Sequence, residues 1–541
     1  MTAEKTAPSA ISPKTLALCL PVLLLVLCAP YLLNMGLRGG LVGTAMPDPE
    51  VRSDADVYDG VWHFWWVKRA LTEPTDPRFS ELLDHPRGAS VVFQNVGWPD
   101  CTLMLPLTAI SPVLAYNADL ILGTLLTALM VGLLAREWGV GVSGAVIAGL
   151  VAAWLPSRTA HVVQHYQLAN LGWLAGSMLF ARRAVRRGDA GDTALAGLFI
   201  LLSLMQSPYF APLCALGVLV AVVSVRGRPL RWRRIISVAA IWMGAALLAG
   251  LFYLTGGRSG AELEMGWREA VYWSAEPQSF VLPSPFGLLG RSLGLPLRLS
   301  WMPNLFEGVV TPGLSVLVLG ILGWKKRSVL PLLGALLCFL LALGPELRLM
   351  GRSTGIPMPY RLLQMVPLLG GARAPSRFAM LGGLLLAISV GLFFQRLSRK
   401  ARVGVLAAIV VELSVFSLPS LSARVPSVYE ELEPSIGPVL EIPCSPSIRR
   451  YAYFQTVDGN PRYISYMARP VRQNVPEVLR PFALGCDSVP DVSDLRRTGA
   501  SVVIYNRWLF EPNRREKLDA RFASIFDSAP PGDSVWIERT I

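Results

Sequence analysis

The sequence predicts a polytopic α-helical membrane protein with about eleven transmembrane helices, long extracytoplasmic loops and a small C-terminal α/β domain. Three observations predict it. Of 541 residues, 52% are hydrophobic and only 16% charged, with a mean hydropathy of +0.46; an average soluble domain carries about 25% charged residues. Apolar runs of spanning length recur along the first three quarters of the chain. The loops between them alternate in basic charge. A multi-domain soluble enzyme and a disordered chain are both excluded by this composition.

Reading for runs of about 17 to 25 apolar residues places spans near 15–34, 113–134, 140–156, 168–181, 192–206, 209–225, 235–255, 309–324, 328–345, 378–395 and 403–418. Lys5 and Lys14 precede the first, which lacks a small-residue cleavage site and reads as a retained helix. Arg136 follows the second span, Arg182, Arg183, Arg186 and Arg187 the fourth, and Arg226 to Arg234 the sixth. Lys325 to Arg327 follow the eighth, and Arg396 to Arg402 the tenth. Every even-numbered exit is basic, so the N-terminus (1–14) is expected in the cytoplasm and the C-terminal segment outside.

The net charge of +13 belongs to these short loops, because residues from Leu421 onward carry 15 basic and 15 acidic side chains. A nucleic-acid partner is therefore not expected. The spanning region is 15–418, with outer loops at about 35–112, 256–308 and 346–377. In the first loop, VWHFWWVKRAL has the aromatic and basic mix of a helix lying in the membrane interface. The final segment, 419–541, changes composition: PVLEIP and SVVIYN read as short buried strands, PDVSDLRRTGA and NRREKLDARFASIF as helices. Cys444 and Cys486 lie in it and could pair if it faces an oxidising compartment; the seven cysteines show no metal-type spacing.

Chemistry concentrates on the outer side. SDADVYD supplies Asp54, Asp56 and Asp59; a carboxylate close to the bilayer can act as a base, and the plainer reading is a helix N-terminus. His161 and His165 are four apart, on one face if that stretch is helical. Two ligands are too few for a metal without a carboxylate from elsewhere, so sugar or phosphate contact is preferred. Arg373 and Arg377 are four apart just before the tenth span, on the side where positive-inside bias disfavours them. Guanidiniums there suit phosphate oxygens, and Pro375 and Ser376 could open a helix; the alternative is snorkelling. Glu276 and Glu307 flank a further outer stretch, as site acids or as ordinary capping acids.

These stretches, together with HPRG, AWLPSRTAHVVQHYQLANLGW, LLSLMQSPYFA, EGVVTPGLSVLVLGILG, LALGPELRLMGRSTGIPMPYRLL, RAPSRFAML, YFQTVDGNPRYISYMARP and LRRTGASVVIYNR, resemble the bacterial GT-C-fold membrane glycosyltransferases over nearly the whole chain. The resemblance implies a hexosyl or pentosyl transferase of the bacterial cytoplasmic (inner) membrane. Such an enzyme moves sugar from a polyprenyl-phosphate donor to an envelope glycan, lipid or protein acceptor. By position Asp54 takes the place of the family's first-loop acid, with Asp56 the close alternative; Ser53 stands where relatives often have Gly, and Gln206-Ser207-Pro208 where some have an acid.

On this reading Asp54 or Asp56 takes the acceptor proton, and Arg373 and Arg377 stabilise the departing phosphate. Tyr360, Glu307, Glu276, His161 and His165 contact substrate, and no divalent metal or other cofactor is obligatory. The alternatives are a lipid-linked saccharide transporter or flippase, and a non-catalytic envelope-assembly scaffold. Spans almost free of Asp, Glu and Lys argue against a transmembrane ion or substrate path.

Overall fold

A computed structural model describes residues 27–33, 40–43, 55–73, 75–92, 94–225, 232–256, 267–295, 305–324, 329–365, 373–415, 418–445, 448–464, 477–483, 492–510, 515–520, 523 and 536–539. The chain divides into two compact units, one of residues 1–38, 117–250 and 263–419, the other of residues 39–116, 251–262 and 420–541.

Among the described residues, three helices are long and apolar enough to cross a membrane: Pro112–Glu137, Trp232–Gly256 and Pro375–Phe394. The pair Val142–Ala153 and Pro156–Val162, bent by 47°, makes a fourth if it is one span. Ala190–Gln206, Phe210–Val223 and Val329–Ala342 are shorter apolar helices. With Gly172–Arg187, Leu314–Leu322 and Arg399–Leu413 they coincide with ten of the eleven expected spans. Several fall short of the roughly 20 residues a straight crossing needs, so helix length alone does not give eleven crossings. Most of the first expected span lies outside the described residues.

In the first unit the Phe378–Phe394 helix is apolar all round and buried along nearly its whole length, as a helix must be when its neighbours enclose it. It meets Val142–Ala153 at Gly144 and Gly391, where a Cβ on Gly144 would come within 2.3 Å of the Gly391 carbonyl oxygen. Only a residue without a side chain lets two backbones approach so closely.

The basic exits gather at one end of this unit. Glu137, at the end of the second span, accepts from Arg183 (2.9 Å) and Arg187 (3.2 Å) and pairs with Arg186 (2.7 Å). Arg234 donates to the Val185 and Arg186 carbonyls, both at 3.2 Å, and Gln395 accepts from the Gly141 amide. Exits two, four and ten therefore share one end with the start of the Trp232–Gly256 helix, as the charge alternation requires.

The second unit is built from three separated stretches of chain. Gly40–Val42 pairs antiparallel with Ser420–Ser422. Val439–Ile442 runs parallel to Val502–Tyr505, which pairs antiparallel with Trp536–Arg539. The two predicted strands are thus the first two of a three-stranded sheet, and PDVSDLRRTGA supplies the Val492–Thr498 helix. Leu440, Ile442, Val503, Tyr505, Phe482 and Leu495 form its apolar core.

The Asp56–Thr72 helix is not the interfacial helix expected. Tyr58, Trp62, Phe64 and Trp66 are buried within the unit, with the Trp62 indole donating to Gln455 (2.8 Å) and the Tyr58 hydroxyl to the Ser422 carbonyl (3.1 Å). Its aromatic face is explained by partners 393 and 364 positions downstream, which local periodicity cannot reveal. The first-loop segment around Leu82–His85 docks by exchange of backbone bonds with Arg462, each of 2.9 Å.

Candidate active site

The site is assembled at the end of the first unit opposite the basic exits. Ala374-Pro375-Ser376-Arg377 form a single 3-10 turn that feeds the Phe378–Phe394 helix. Pro375 starts the turn because its missing amide hydrogen is not needed there. Arg377 is consequently buried, 6% exposed, and cannot snorkel.

Its guanidinium is held on one edge and one face. Glu307 Oε1 accepts from Nε at 2.9 Å and from Nη2 at 2.6 Å, while the Tyr209 ring lies 4.0 Å beneath the guanidinium carbon. Ser376 Oγ donates to Glu307 Oε2 at 2.5 Å, fixing the carboxylate itself. Arg377 Nη1 remains buried with no hydrogen-bond partner among the described residues. Burial pushes the Glu307 carboxyl upward, but the adjoining Arg377 charge prevails and holds it down to about 2, well below its ordinary 4.5.

His161 and His165 join this group. The helix carrying His161 stops at Val162, so the pair does not lie on one continuous helix as expected. A bond from the His165 amide to the His161 carbonyl (2.6 Å) nonetheless keeps the one-turn spacing, and the two Nδ1 atoms lie 3.2 Å apart. One donates and the other accepts, the roles following from the tautomers of the two rings. Tyr360 is buried and within electrostatic reach of Arg377 and Tyr209; burial pushes its phenol up.

His161, His165 and Glu307 offer ligand atoms all within 4.8 Å of one another. Two imidazoles and a carboxylate are a minimal set for a transition metal. Glu307 Oε1 accepts two bonds from Arg377 and Oε2 one from Ser376, so an ion would share an oxygen with these donors, most simply Oε2, which keeps a lone pair.

The other expected site residues fall elsewhere. Arg373 is half-buried and engaged, and the 3-10 turn breaks the helical register that its spacing from Arg377 implied. Glu307 neutralises Arg377 and leaves Nη1 as its one unengaged nitrogen among the described residues, so the two unencumbered guanidiniums expected are not what the structure holds. Glu276 accepts from the Gly351 amide (3.1 and 3.0 Å) and pairs with Arg348 (3.5 Å), holding a hairpin.

Asp56, in the second unit, is ion-paired with Arg449. Asp59 lies 3.4 Å from the buried His63, whose burial lowers it to about 3 despite the opposing Asp56 charge. Asp54 and Cys486 lie outside the described residues; Cys444 is a buried free thiol. Sequence reasoning missed Tyr209 and Ser376 as site residues. The Ser207-Pro208-Tyr209 break between two apolar runs was the available signal for the first.

No protein-family model matches the chain, and no curated protein matches it. Among solved structures, the arabinofuranosyltransferase AftD from Mycobacteria is similar over 93% of this chain and 36% of its own, at 16% identity and a TM-score of 0.51. A mutant form of AftD gives 14% identity and a TM-score of 0.53, over 93% of this chain and 37% of that one. The oligosaccharyltransferase of Archaeoglobus fulgidus is similar at 13% identity over 92% of this chain and 70% of its own, with a TM-score of 0.48. The chain spans little more than a third of the length of AftD. At these identities the likeness concerns architecture alone: this chain carries the fold seen in AftD, in agreement with the fold that the resemblance of the sequence motifs implied.

Proposed function

We propose that this protein transfers a sugar from a polyprenyl-phosphate donor to an envelope acceptor on the outer side of the cytoplasmic membrane. The observation that carries the reading is Arg377: a buried guanidinium, locked by Glu307 and Tyr209, with Nη1 unpartnered among the described residues and His161 within electrostatic reach. A buried donor without an acceptor costs about 1–3 kcal/mol, and a phosphate oxygen is the acceptor a guanidinium fits best.

The acceptor hydroxyl oxygen attacks the anomeric carbon of the donor sugar. As that bond forms, the bond from the anomeric carbon to the phosphate oxygen breaks, and its electron pair leaves with the lipid phosphate. Arg377 Nη1 meets the charge that gathers on the phosphate, and since Glu307 and Tyr209 fix its direction, little reorganisation accompanies the step. His161 and His165 contact the phosphate or sugar from the side, and Tyr360 presents a neutral hydroxyl.

The proton of the acceptor goes to a first-loop carboxylate. By position in the first loop Asp54 is the proposed base, and Asp56, which is ion-paired with Arg449, is the close alternative. No metal is obligatory in this scheme, since Arg377 Nη1 offers the leaving phosphate a fixed hydrogen-bond donor.

The test is to incubate the purified protein in lipid nanodiscs with radiolabelled polyprenyl-phosphate sugars of several kinds and a membrane extract as acceptor. Label should move from one donor to an acceptor. Arg377→Gln should lower the rate by about 10²–10³, the usual effect of losing one such donor. Label that never leaves its lipid, or an undiminished rate in Arg377→Gln, refutes the proposal. A transporter would instead move labelled lipid across the bilayer unchanged.

A further inference from the structure

The strands Glu346–Leu349 and Arg352–Pro357 form an antiparallel hairpin in the first unit, and nothing in the proposed chemistry uses it. Its two-residue turn is Met350-Gly351, with φ of +50° and +82°. Turns with two positive φ values call for Asn-Gly or Asp-Gly. A methionine in that conformation costs about 1–2 kcal/mol and offers no local hydrogen bond in return. Met350 is 63% exposed, at the tip, with Leu349 exposed beside it and Ile356 exposed toward the base, next to the Glu346–Pro357 pair.

The hairpin is held rigidly from below. Arg348, itself buried, donates to the Tyr272 carbonyl (2.7 Å), the Val271 carbonyl (3.3 Å) and the Gly351 carbonyl (3.2 Å). Glu276 pairs with that guanidinium and accepts the Gly351 amide. A buried ion pair thus fixes a turn whose outward product is an exposed apolar tip.

The surroundings indicate what covers that tip. The preceding helix, Val329–Ala342, exposes Leu333, Leu336, Leu337 and Leu340, one stripe at helical spacing on an otherwise apolar helix, which in a membrane protein faces lipid. The chain passes from that stripe straight into the hairpin. At the hairpin's base Tyr272 and Trp273 pack edge to face with centroids 4.5 Å apart, the residue types that gather at the level of lipid headgroups. Arg352 and Arg268 are exposed, and cations of this kind reach headgroup phosphates while their neighbours stay apolar.

We propose that the Glu346–Pro357 hairpin is a membrane anchor, with Leu349 and Met350 at its tip seated among the phospholipid acyl chains of the adjoining leaflet. The anchor adds a fixed contact between this end of the bundle and the bilayer, independent of whether sugar transfer occurs.

The test places the photoreactive residue p-benzoylphenylalanine at one position of the full chain in phospholipid nanodiscs. Illumination of Met350→p-benzoylphenylalanine should add the mass of a phospholipid, as should Leu337→p-benzoylphenylalanine on the lipid-facing stripe. Glu431→p-benzoylphenylalanine, in an exposed polar position of the second unit, should add none. Lipid adducts at 337 with none at 350 overturn the proposal, and so does cross-linking of 350 to protein alone. A second measurement needs no substitution: a lipid-soluble carbene reagent should modify the 346–357 peptide of the unaltered protein, and an unmodified peptide beside a modified 329–342 helix also overturns it.

Discussion

Replacing Glu307 by glutamine removes one charge from the buried pair with Arg377 and leaves the shape nearly intact. The side chains are 3% and 7% exposed, so the stranded guanidinium cannot reach water to recover its solvation. Breaking one half of such a pair costs about 3–5 kcal/mol. The amide oxygen of the introduced glutamine still accepts one bond, which places Glu307→Gln near the lower limit, at about 3 kcal/mol. Arg377→Met alone strands the Glu307 carboxylate at similar cost, whereas the double variant strands nothing. Unfolding in detergent micelles should therefore give a coupling of about 2–3 kcal/mol between the two sites, within the range for residues in one network. The pH dependence has a definite sign. Arg377 holds Glu307 at about 2 against an ordinary 4.5, so the stabilisation is complete above 4.5 and lost as pH falls from 4.5 through 2. The difference between wild type and Glu307→Gln should be flat at neutral pH and shrink in that acid window. Additivity of the two single variants within about 0.5 kcal/mol would refute the reasoning, because it would mean the pair is not an energetic unit.

Two further outcomes follow from the structure. Chelation of divalent ions should leave transfer activity unchanged; loss of activity on chelation, restored by added metal but not in His161→Ala, would show an ion held by His161, His165 and Glu307. In the second unit, Arg462 bonds Asp458 twice, at 2.9 and 2.5 Å, and Glu441 once, at 3.1 Å, so two buried acids share one cation. Burial raises Glu441 to about 7, Asp458 adding to the effect and Arg462 opposing it. Its ionisation therefore destabilises the fold as pH rises from 4.5 through 7. Glu441→Gln should flatten that loss in thermal unfolding, and an unchanged pH profile would contradict it.

Much of the fold was legible because membrane helices announce themselves by composition. The run from Phe378 to Phe394 needs no tertiary information to be read as a helix, and neither do the basic exits around Glu137. The strands Val439–Ile442 and Val502–Tyr505 were legible for a similar reason, as short apolar runs between turn residues. Two features were hidden, and both depend on distant partners. The Asp56–Thr72 helix looked amphipathic because its tryptophans await Gln455 and its neighbours. Arg377 looked like half of an Arg373/Arg377 pair, since nothing near it in sequence indicates that Glu307, 70 positions upstream, neutralises it. The histidine pair was found by spacing, although a turn rather than a continuous helix holds it. Glu276 illustrates the limit of residue type as a guide: a buried acid in an outer loop holds a hairpin instead of facing the Arg377 group.

The second unit draws strands and helices from the beginning, middle and end of the chain. During synthesis its earliest portion must wait. Gly40–Val42 cannot pair with Ser420–Ser422, nor Trp62 donate to Gln455, until those residues have been made. Truncation near the last span would thus leave an aromatic helix uncovered from the opposite end of the gene product, and loss of a late segment would be felt as misfolding of an early one.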